Sequence, residues 1–210
     1  MKILIGIISY LPNDIEKRTH RFETLKHLIN TCNYLFRLPI YVVIQNYKQD
    51  EIDYLKSKNV ILSNNYNILG ILKARRKLRE YFINSTYTNL IMLDDDCEIV
   101  GTIVQAKEYL NQIEDNCFIE FNDTLLKLFC ISKNIFKEVD YEDINPENEE
   151  GFEDIVFVNK LRKLYPNNRK VFNKNGLEEY SISGKDKYST WYKNQDLDKM
   201  RRKINAKLYE

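Results

Sequence analysis

The first hundred residues alternate between short apolar runs and longer stretches whose apolar residues recur every three or four positions. Four short apolar runs, the first of them rich in β-branched residues, predict strands, most of them buried on both faces: Ile3–Ser9, Ile40–Ile44, Asn59–Ser63 and Asn89–Leu93. The stretches between them predict helices, with apolar stripes over Phe22–Phe36, Ile52–Leu55 and Ile71–Phe82. Such alternation is typical of a mainly parallel sheet flanked by helices, so we expect an α/β fold.

The second half of the chain has a different pattern. A helix predicted over Ile103–Ile113 precedes two apolar runs, CFIEF and LLKLFCIS, which predict paired strands. The stretch GFEDIVFVNKLRKLY predicts a helix that begins with acidic residues, which are favourable at the positive end of a helix dipole. From Pro166 onwards the sequence is polar. No repeat or linker interrupts the chain, so we expect a single domain over residues 1–184, with halves 1–100 and 101–184, followed by a basic and aromatic tail, 185–210.

Charge is distributed unevenly, although the net charge is only +1. Residues 138–154 carry nine acidic and no basic side chains, whereas residues 155–210 carry 14 basic and six acidic ones. This layout is typical of a site for cations beside a surface that accepts anions, and equally of solvated loops. No apolar run approaches the ~20 residues of a membrane span. The N-terminus lacks the long apolar core of a signal peptide, so we expect a cytoplasmic protein.

The cysteines and histidines do not form a recognisable site. The cysteines show no CxxC spacing, so we expect buried, reduced thiols and neither disulfides nor a zinc site: Cys32, Cys97, Cys117 and Cys130. His20 and His27 lie seven residues apart on one predicted helix, and both are expected to be ordinary surface or packed histidines. The chain also lacks the two common glycine-rich motifs that bind phosphates.

Polar residues gather at the predicted carboxyl ends of the strands, and the densest group is Asp94, Asp95 and Asp96. Ligands bind beyond these ends in α/β sheets. If the fourth strand continued through the aspartates, alternation would put Asp94 and Asp96 on one side and Asp95 on the other. Paired carboxylates repel each other but suit a hard divalent cation that completes its shell with water and phosphate oxygens. The cluster predicts a metal site filled together with a phosphorylated ligand, with a solvated acidic turn as the alternative.

Three segments together resemble glycosyltransferases of the GT-A type, in particular the large inverting family 2 group. The first is the opening strand that ends in SY. The second is NYNILGILKARRKLREYF followed by TNLIMLDDDCEI, which is similar to the group's Asn, Gly and Ala-Arg helix and its Asp-x-Asp strand. The third, GFEDIVFVNKL, resembles the Glu-Asp pair that begins a helix after the acceptor-side strands. The resemblance implies a GT-A (nucleotide-diphospho-sugar transferase) fold in which residues 1–100 bind the nucleotide sugar and residues 101–184 bind the acceptor.

The resemblance also implies roles for individual residues. Asp94 and Asp96 would bind Mn²⁺ or Mg²⁺, which holds the diphosphate of a nucleotide-sugar donor, most simply a UDP-sugar, and Asp95 would lie towards the ribose or sugar. Asp154 would be the catalytic base for the acceptor hydroxyl, with Glu153 orienting it or the acceptor; as the alternative, both are ordinary first-turn acids of a helix. Direct attack would invert the anomeric centre. The remaining donor-binding positions are Ser9, Tyr10, Gln45, Asn46, Asn67, Gly70 and Arg75.

The C-terminal region departs from the family. Many relatives supply a metal ligand or a diphosphate clamp from a C-terminal loop, often with a histidine, and this chain has no histidine after His27. The corresponding stretch, SISGKDKYSTWY, offers Lys185 and Lys187 instead. These lysines would close on the diphosphate as part of a lid, or they belong to a solvated tail.

The acceptor is less well specified by the sequence. The tail WYKNQDLDKMRRKINAKLY mixes basic and aromatic residues, a combination suited to phosphate backbones and stacked bases. The chain also resembles small phage glycosyltransferases that modify hydroxymethylated pyrimidines in DNA, which would place it in the cytoplasm of a host cell. A polymer or protein hydroxyl stays open as the acceptor, as does packing of the tail on its own domain or on a second copy in a homodimer.

Two functions outside the glycosyltransferases also stay open. A nucleotidyltransferase on a related sheet would carry a glycine-rich loop after its first strand, and the corresponding segment here, SYLPNDIEKR, contains no glycine. A binding module that kept the fold and lost catalysis is disfavoured because both acidic motifs are present.

Overall fold

The computed structural model describes residues 1–121, 128–141, 153–172 and 177–181. The strands in these ranges are β1 (Ile3–Tyr10), β2 (Ile40–Gln45), β3 (Ile61–Leu62), β4 (Asn89–Asp94), β5 (Cys97–Val100), β6 (Phe118–Phe121), β7 (Phe129–Ser132), β8 (Arg169–Phe172) and β9 (Glu178–Ser181). The helices are α1 (Ile15–Leu35), α2 (Gln49–Ser57), α3 (Ile71–Asn84), α4 (Ile103–Asn111), α5 (Lys133–Glu138) and α6 (Glu153–Leu164), and a short 3-10 helix covers Pro166–Asn168.

Seven strands form one mostly parallel sheet in the order β3-β2-β1-β4-β7-β6-β8. Strand β1 lies between β2 and β4 and pairs in parallel with both. The chain therefore moves to one side of β1 to form β2 and to the other side to form β4, which makes β1 the point where the strand order reverses. In open α/β sheets the crevice at the carboxyl ends beside such a point binds ligands. Strand β7 is antiparallel to its neighbours, and β8 is parallel to β6.

Helices cover both faces of the sheet because alternate residues of a buried strand point to opposite sides. Ile5 of β1 shares a core cluster with Leu25 and Leu28 of α1. Leu4 belongs to the other cluster, together with Leu78 of α3 and residues of α5 and α6. Helices α1 and α3 thus lie on opposite faces of the same strand.

Helix α3 lies close to β1 because Gly6 has no side chain. A Cβ at Gly6 would lie 2.5 Å from Leu78 Cδ1 and 2.9 Å from Leu90 Cδ1. Both distances are well inside the 3.5–4.0 Å separation that is optimal for two carbon atoms. The glycine therefore leaves the space in which Leu78 of α3 rests on the strand.

A buried carboxylate joins the elements of the second half. Glu120 of β6 is buried and accepts hydrogen bonds from Arg162 of α6 and Arg169 of β8; the Nε atom of each arginine lies 2.9 Å from Glu120 Oε1. A charge is tolerated in a protein interior when it is paired and hydrogen-bonded. The three side chains thereby connect α6 and β8 to the sheet.

Most predicted elements are confirmed, and the differences concern short strands. The third strand is shorter than expected, only Ile61–Leu62, and the polar sequence after Pro166 contains a strand of the main sheet, β8. Strands β5 and β9 form a separate two-stranded sheet that the hydrophobic pattern does not predict. All four cysteines are buried and free, as expected. Within the described ranges, no helix has both the length and the hydropathy to cross a membrane.

Candidate functional site

Strand β4 ends at Asp94, and Asp95 and Asp96 form the turn that leads into β5. The strand does not continue through all three aspartates, so strand alternation does not decide where they point. It stops because β5, which begins at Cys97, pairs with β9 and not with the main sheet. The register pairs Ile8 of β1 with Asp94, so the aspartates lie at the carboxyl end of the sheet beside β1. We call residues 94–96 the acidic turn.

Asp95 is packed against the end of β1 and is only 6% exposed. Its Oδ2 accepts hydrogen bonds from Ser9 Oγ at 2.6 Å and from the Tyr10 backbone N–H at 3.2 Å. Burial raises the pKa of the Asp95 carboxyl, and Asp94 acts in the same direction; Arg21 and the two hydrogen bonds act in the opposite direction. Asp95 therefore holds β1 and β4 together at their carboxyl ends.

Two arginines approach the acidic turn from opposite faces of the sheet. Arg75 of α3 is 7% exposed and places Nη2 at 3.2 Å and 3.4 Å from the two carboxylate oxygens of Asp94, whose side chain is 39% exposed. Arg21 of α1 donates to the Tyr10 carbonyl at 3.3 Å and lowers the pKa of Asp95. The negative charge of the turn is partly balanced by groups that the two helices hold in place.

A hydrogen-bond chain continues from Asp95 to the loop after β2. Ser9 Oγ gives its one proton to Asp95, so Tyr47 Oη must donate to Ser9 Oγ, at 2.6 Å. Burial raises the pKa of Tyr47, and the nearby Asp95 adds to this effect, so the phenol keeps its proton. Asn65 fixes the backbone of Tyr47 on both sides, since it accepts from its N–H at 3.1 Å and donates to its carbonyl at 2.8 Å.

The segment between β3 and α3 borders the same crevice. Gln45, the last residue of β2, accepts a hydrogen bond from the Leu69 backbone N–H at 2.8 Å. Asn67 is exposed on this segment. Gly70 adopts a φ of 79°, a left-handed conformation that glycine takes without strain, and α3 begins directly after it. The structure thus brings together Ser9, Tyr10, Gln45, Gly70, Arg75 and the acidic turn along the carboxyl ends of β2, β1 and β4.

The first turn of α6 lies towards the same edge of the sheet. Phe157 of α6 stacks on Tyr141 with ring centroids 4.3 Å apart, and Tyr141 Oη donates to the sulfur of Met92, two residues before the end of β4. At the other end of the helix, Tyr165 donates to Glu138 of α5, which follows β7 at the edge where β4 begins. Helix α6 therefore runs away from the crevice edge, and its first residues, Glu153 and Asp154, lie on the crevice side.

The acidic turn offers the oxygen ligands that Mg²⁺ and Mn²⁺ bind, but few of them. In the part of the chain that the structure describes, no group of three or more His, Cys, Asp or Glu side chains is arranged to hold a metal ion. Asp95 is bonded to β1, and Asp94 is paired with Arg75 but keeps an exposed surface. Two carboxylates suffice for a Mg²⁺-type ion when phosphate oxygens and water complete its shell. A metal at the acidic turn would therefore need ligand oxygens in addition to those of the protein.

Lys185 and Lys187 lie outside the described residues, but the chain approaches the acidic turn just before them. Strand β9 is antiparallel to β5, and its last residue, Ser181, pairs with Cys97, which follows Asp96 directly.

The hydrophobic pattern gave no indication of Arg21 or Tyr47. A signal for the arginine does exist, because Arg18, Arg21, Leu25, Leu28 and Cys32 follow the three- and four-residue spacing of the buried face of α1. A charged residue that continues an apolar stripe towards the carboxyl end of a strand is a candidate for the ligand crevice. Tyr47 has no such signal, since its contact with Ser9 depends on how two loops fold against each other.

Known proteins resemble this chain in structure and not in sequence. No protein-family model matches it, and no curated protein is significantly similar to it. TarS of S. aureus, residues 1–349, matches with a TM-score of 0.60 at 15% identity over 87% of this chain and 61% of the TarS chain. TarS 1–349 has also been solved with UDP-GlcNAc and with UDP. The chain thus spans less than two thirds of that TarS structure.

Two further structures match over nearly the whole length of both chains. A protein of Desulfovibrio desulfuricans G20 described as a nucleotide-diphospho-sugar transferase has a TM-score of 0.53 at 12% identity, over 99% of this chain and 97% of its own. CMP:2-keto-3-deoxy-manno-octonic acid synthetase complexed with CTP has a TM-score of 0.56 at 8% identity, over 99% and 100%. These likenesses confirm the expected fold, a single α/β domain of the GT-A-like, nucleotide-diphospho-sugar transferase type.

Proposed function

We propose that this protein is a glycosyltransferase that moves a sugar from a nucleotide-diphosphate sugar, a UDP-sugar, to an acceptor hydroxyl with inversion. The observation that carries the proposal is the acidic turn at the switch point of the sheet, with Arg75 on one face and Arg21 on the other. Opposite charges gathered at one crevice suit an anionic ligand that shares a cation with the protein. TarS, which has this fold, was solved with UDP-GlcNAc, which supports the same donor class here.

The donor would lie along the carboxyl ends of the three strands. Its base would lie near Gln45 and the loop that contains Asn67, and its diphosphate near Asp94 and Arg75. Asp95 was expected to face the ribose or sugar, but its carboxylate bonds Ser9 and Tyr10. Asp95 and Ser9 would therefore act on the donor indirectly, by keeping the end of β1 in place.

A divalent cation, Mn²⁺ or Mg²⁺, would be held by Asp94 and Asp96 together with the diphosphate. When bound, it supplies positive charge that stabilises the departing diphosphate. Arg75 adds a second, permanent positive charge beside Asp94. Lys185 and Lys187 are proposed to approach the same diphosphate from the segment after β9.

Asp154 is proposed as the catalytic base, with Glu153 beside it. A hydroxyl acceptor must lose its proton as it attacks the anomeric carbon, so a carboxylate within hydrogen-bond reach is required. Asp154 is partly exposed in the first turn of α6, on the crevice side. An acceptor on that side would place its hydroxyl opposite the leaving diphosphate, the geometry of inversion. A hydroxymethylated pyrimidine in DNA is the acceptor class that the basic and aromatic tail favours.

A thermal-shift panel tests the donor class. We expect UDP and UDP-sugars to raise the melting midpoint in the presence of Mn²⁺, because a ligand that binds only the folded state stabilises it by mass action. Asp96→Ala should abolish the part of the shift that depends on Mn²⁺. Incubation with a UDP-sugar labelled in the sugar and one labelled in the base then separates the two transferase classes. Label from the base appearing on the acceptor would identify a nucleotidyltransferase and refute the proposal.

The substitution Asp154→Asn tests the catalytic base. It should lower the rate of sugar transfer by about 10²–10⁴-fold, the usual contribution of general base catalysis, and leave UDP binding unchanged. Asp115→Asn is the matched control, because Asp115 is exposed in the turn between α4 and β6. An unchanged transfer rate in Asp154→Asn would remove Asp154 from the mechanism.

A further inference from the structure

Asp95 belongs to the acidic turn, but its carboxylate is held inside the protein. The residue is only 6% exposed, whereas Asp94 and Asp96 on either side of it are partly exposed. Asp95 Oδ2 accepts hydrogen bonds from Ser9 Oγ at 2.6 Å and from the Tyr10 backbone N–H at 3.2 Å. Of the three carboxylates in the turn, two are therefore accessible at the crevice and one is withdrawn from it.

Tyr47 determines the direction in which the Ser9 hydroxyl donates. Ser9 Oγ lies 2.6 Å from Tyr47 Oη and 2.6 Å from Asp95 Oδ2. A hydroxyl has one proton, so Ser9 can donate to Asp95 only while it accepts from Tyr47. Ser9 and Tyr47 are 2% and 6% exposed, and Asn65 holds the Tyr47 backbone from both sides. The chain of hydrogen bonds therefore has one favourable arrangement, and in it Ser9 serves Asp95.

This chain of hydrogen bonds opposes the exposure of a third carboxylate at the crevice. The bond from Ser9 is the shorter of the two that Asp95 receives from β1. A buried carboxylate that loses such a bond keeps the full cost of its removal from water. Without the Ser9 hydroxyl, the Asp95 carboxylate would therefore be more stable in water at the crevice, beside Asp94.

The number of carboxylates at the crevice affects when a divalent cation can bind. Two carboxylates leave most of the shell of a Mg²⁺-type ion to water and phosphate oxygens, so firm binding requires a diphosphate. A third carboxylate would add a ligand and a negative charge, which strengthens the binding of the cation alone and repels the diphosphate. Arg75 beside Asp94 reduces the negative charge further. Withdrawal of Asp95 therefore favours joint binding of the cation and the diphosphate.

We propose that Ser9 and Tyr47 are positioning residues that keep Asp95 inside the protein, so that a divalent cation binds together with the nucleotide diphosphate and not before it. This inference rests on the proposed function and adds the residues that determine the order of binding. Ser9 and Tyr47 need no contact with the cation or with the diphosphate, because both act through Asp95.

Calorimetric titration of the full chain measures the coupling between the two ligands. Mn²⁺ is titrated alone, and UDP is titrated without and with Mn²⁺; the ratio of the two UDP affinities is the coupling factor. A general loss of stability weakens UDP binding in both conditions and leaves this factor unchanged.

The variants separate the hydroxyl of Ser9 from that of Tyr47. Ser9→Ala removes the donor to Asp95, and Ser9→Ala/Tyr47→Phe also removes the phenol hydroxyl that Ser9→Ala leaves without an acceptor. Ser9→Ala/Asp95→Asn tests whether any change in Mn²⁺ binding comes from Asp95. Ser57→Ala and Tyr34→Phe, at exposed positions, are the matched controls.

We expect Mn²⁺ to strengthen UDP binding to the wild type and to both controls by about tenfold or more, within the usual range for two coupled ligands. Ser9→Ala and Ser9→Ala/Tyr47→Phe should bind Mn²⁺ in the absence of UDP about tenfold more tightly than the wild type does, and the coupling factor should fall. Asp95→Asn in the Ser9→Ala background should abolish the gain in Mn²⁺ affinity.

An unchanged coupling factor in the two variants that lack only hydroxyl groups, or weaker binding of Mn²⁺ to them, would overturn the role of Ser9 and Tyr47 and leave the proposed function intact. A wild type that binds UDP equally well with and without Mn²⁺ would overturn the inference together with the proposed metal dependence. Absence of UDP binding to the wild type in both conditions would overturn the proposed function as well.

Discussion

Three adjacent aspartates occupy three different environments. Asp94 ends a strand and pairs with Arg75, Asp95 is buried against β1, and Asp96 lies in the turn before β5. Repulsion between neighbouring carboxylates is reduced because one is enclosed by hydrogen-bond donors and another faces a guanidinium. The cluster is therefore compatible with a stable fold before any ligand binds, and Asp94 keeps an exposed surface for a ligand.

Tyr41 gives a prediction about alkaline pH. Its ring stacks on Tyr81 with centroids 3.7 Å apart, and burial raises its pKa to about 12. Tyrosine in an unfolded chain ionises near pH 10, so the fold favours the neutral phenol. This group contributes stability that is complete below about pH 10 and is lost as the pH rises through about 12.

We expect the free energy of unfolding of the wild type to fall between pH 10 and pH 12 more steeply than that of Tyr41→Phe, by up to about 1.4 kcal/mol per pH unit. Urea denaturation at several pH values measures the two slopes. Tyr34→Phe is the control, because Tyr34 is exposed, and it should follow the wild type. Identical slopes for Tyr41→Phe and the wild type would contradict the prediction.

For single residues, the sequence predicts which side chains belong to the candidate site. It does not predict which groups those side chains contact. The acidic turn, Gln45 and Arg75 lie at strand ends or on a helix stripe, which the sequence shows. The inward orientation of Asp95 depends on β4 ending at Asp94, and that depends on β5 pairing with β9, about 80 residues away in the chain. The hydrophobic pattern around residues 94–100 contains no information about a strand so far away in the sequence.

At the scale of elements, helix α3 connects the core to the candidate site. Leu78 rests in the space above Gly6, and Arg75 lies one turn earlier on the same helix. The distance between α3 and β1 therefore affects the distance between the Arg75 guanidinium and Asp94, the last residue of β4, which pairs with β1. Gly6, a residue of the core, thus influences the distance between Arg75 and Asp94 at the candidate site.

Gly6→Ala tests this connection. The added methyl group would overlap Leu78, so we expect the free energy of unfolding to fall by about 1–3 kcal/mol, the usual cost of overpacking. Leu78→Val should recover part of this loss in the double variant, although it is destabilising by itself. Urea denaturation of the four proteins gives the coupling energy. Additive effects of the two substitutions would show that the methyl group does not press on α3.

The elements with long, regular patterns were predictable, and the short ones were not. Strands β1, β2 and β4 are continuous apolar runs because both of their faces are covered by helices. Strand β5, CEIV, is only four residues long, and strand β9, EEYS, contains a single apolar residue, so neither stands out. Strand β8, RKVF, is similar, and its place beside β6 depends on Glu120 attracting Arg169.

At the scale of the whole molecule, strand β9 brings the C-terminal part of the chain to the acidic turn. Ser181, the last residue of β9, lies opposite Cys97, which follows Asp96 directly in the chain. Residues 155–210 are the basic part of the sequence, with 14 basic and six acidic side chains. The topology thus connects a basic segment to the place where a diphosphate is proposed to bind.

Replacement of Lys185 and Lys187 by alanine tests this arrangement. The double variant should bind UDP about tenfold more weakly, since a hydrogen bond to a charged group contributes about 1.5 kcal/mol or more. The loss should shrink at high salt, because exposed charges are screened. Lys56→Ala/Lys107→Ala, which removes two exposed lysines of α2 and α4, should bind UDP like the wild type. Equal affinities for the two double variants at low salt would contradict the prediction.

The position of β1 in the sheet has a consequence for biosynthesis. Ile3 pairs with Asn89, so β1 obtains its second neighbour only after about 86 more residues have been made. At about 5–20 residues per second this takes roughly 4 to 17 seconds. Strand β2 protects one edge of β1 in the meantime, and the other edge stays open to pairing with a neighbouring nascent chain. The strand that carries Ser9 and Tyr10 into the crevice is therefore exposed to wrong pairing during translation, and chaperone binding at this stage would protect it.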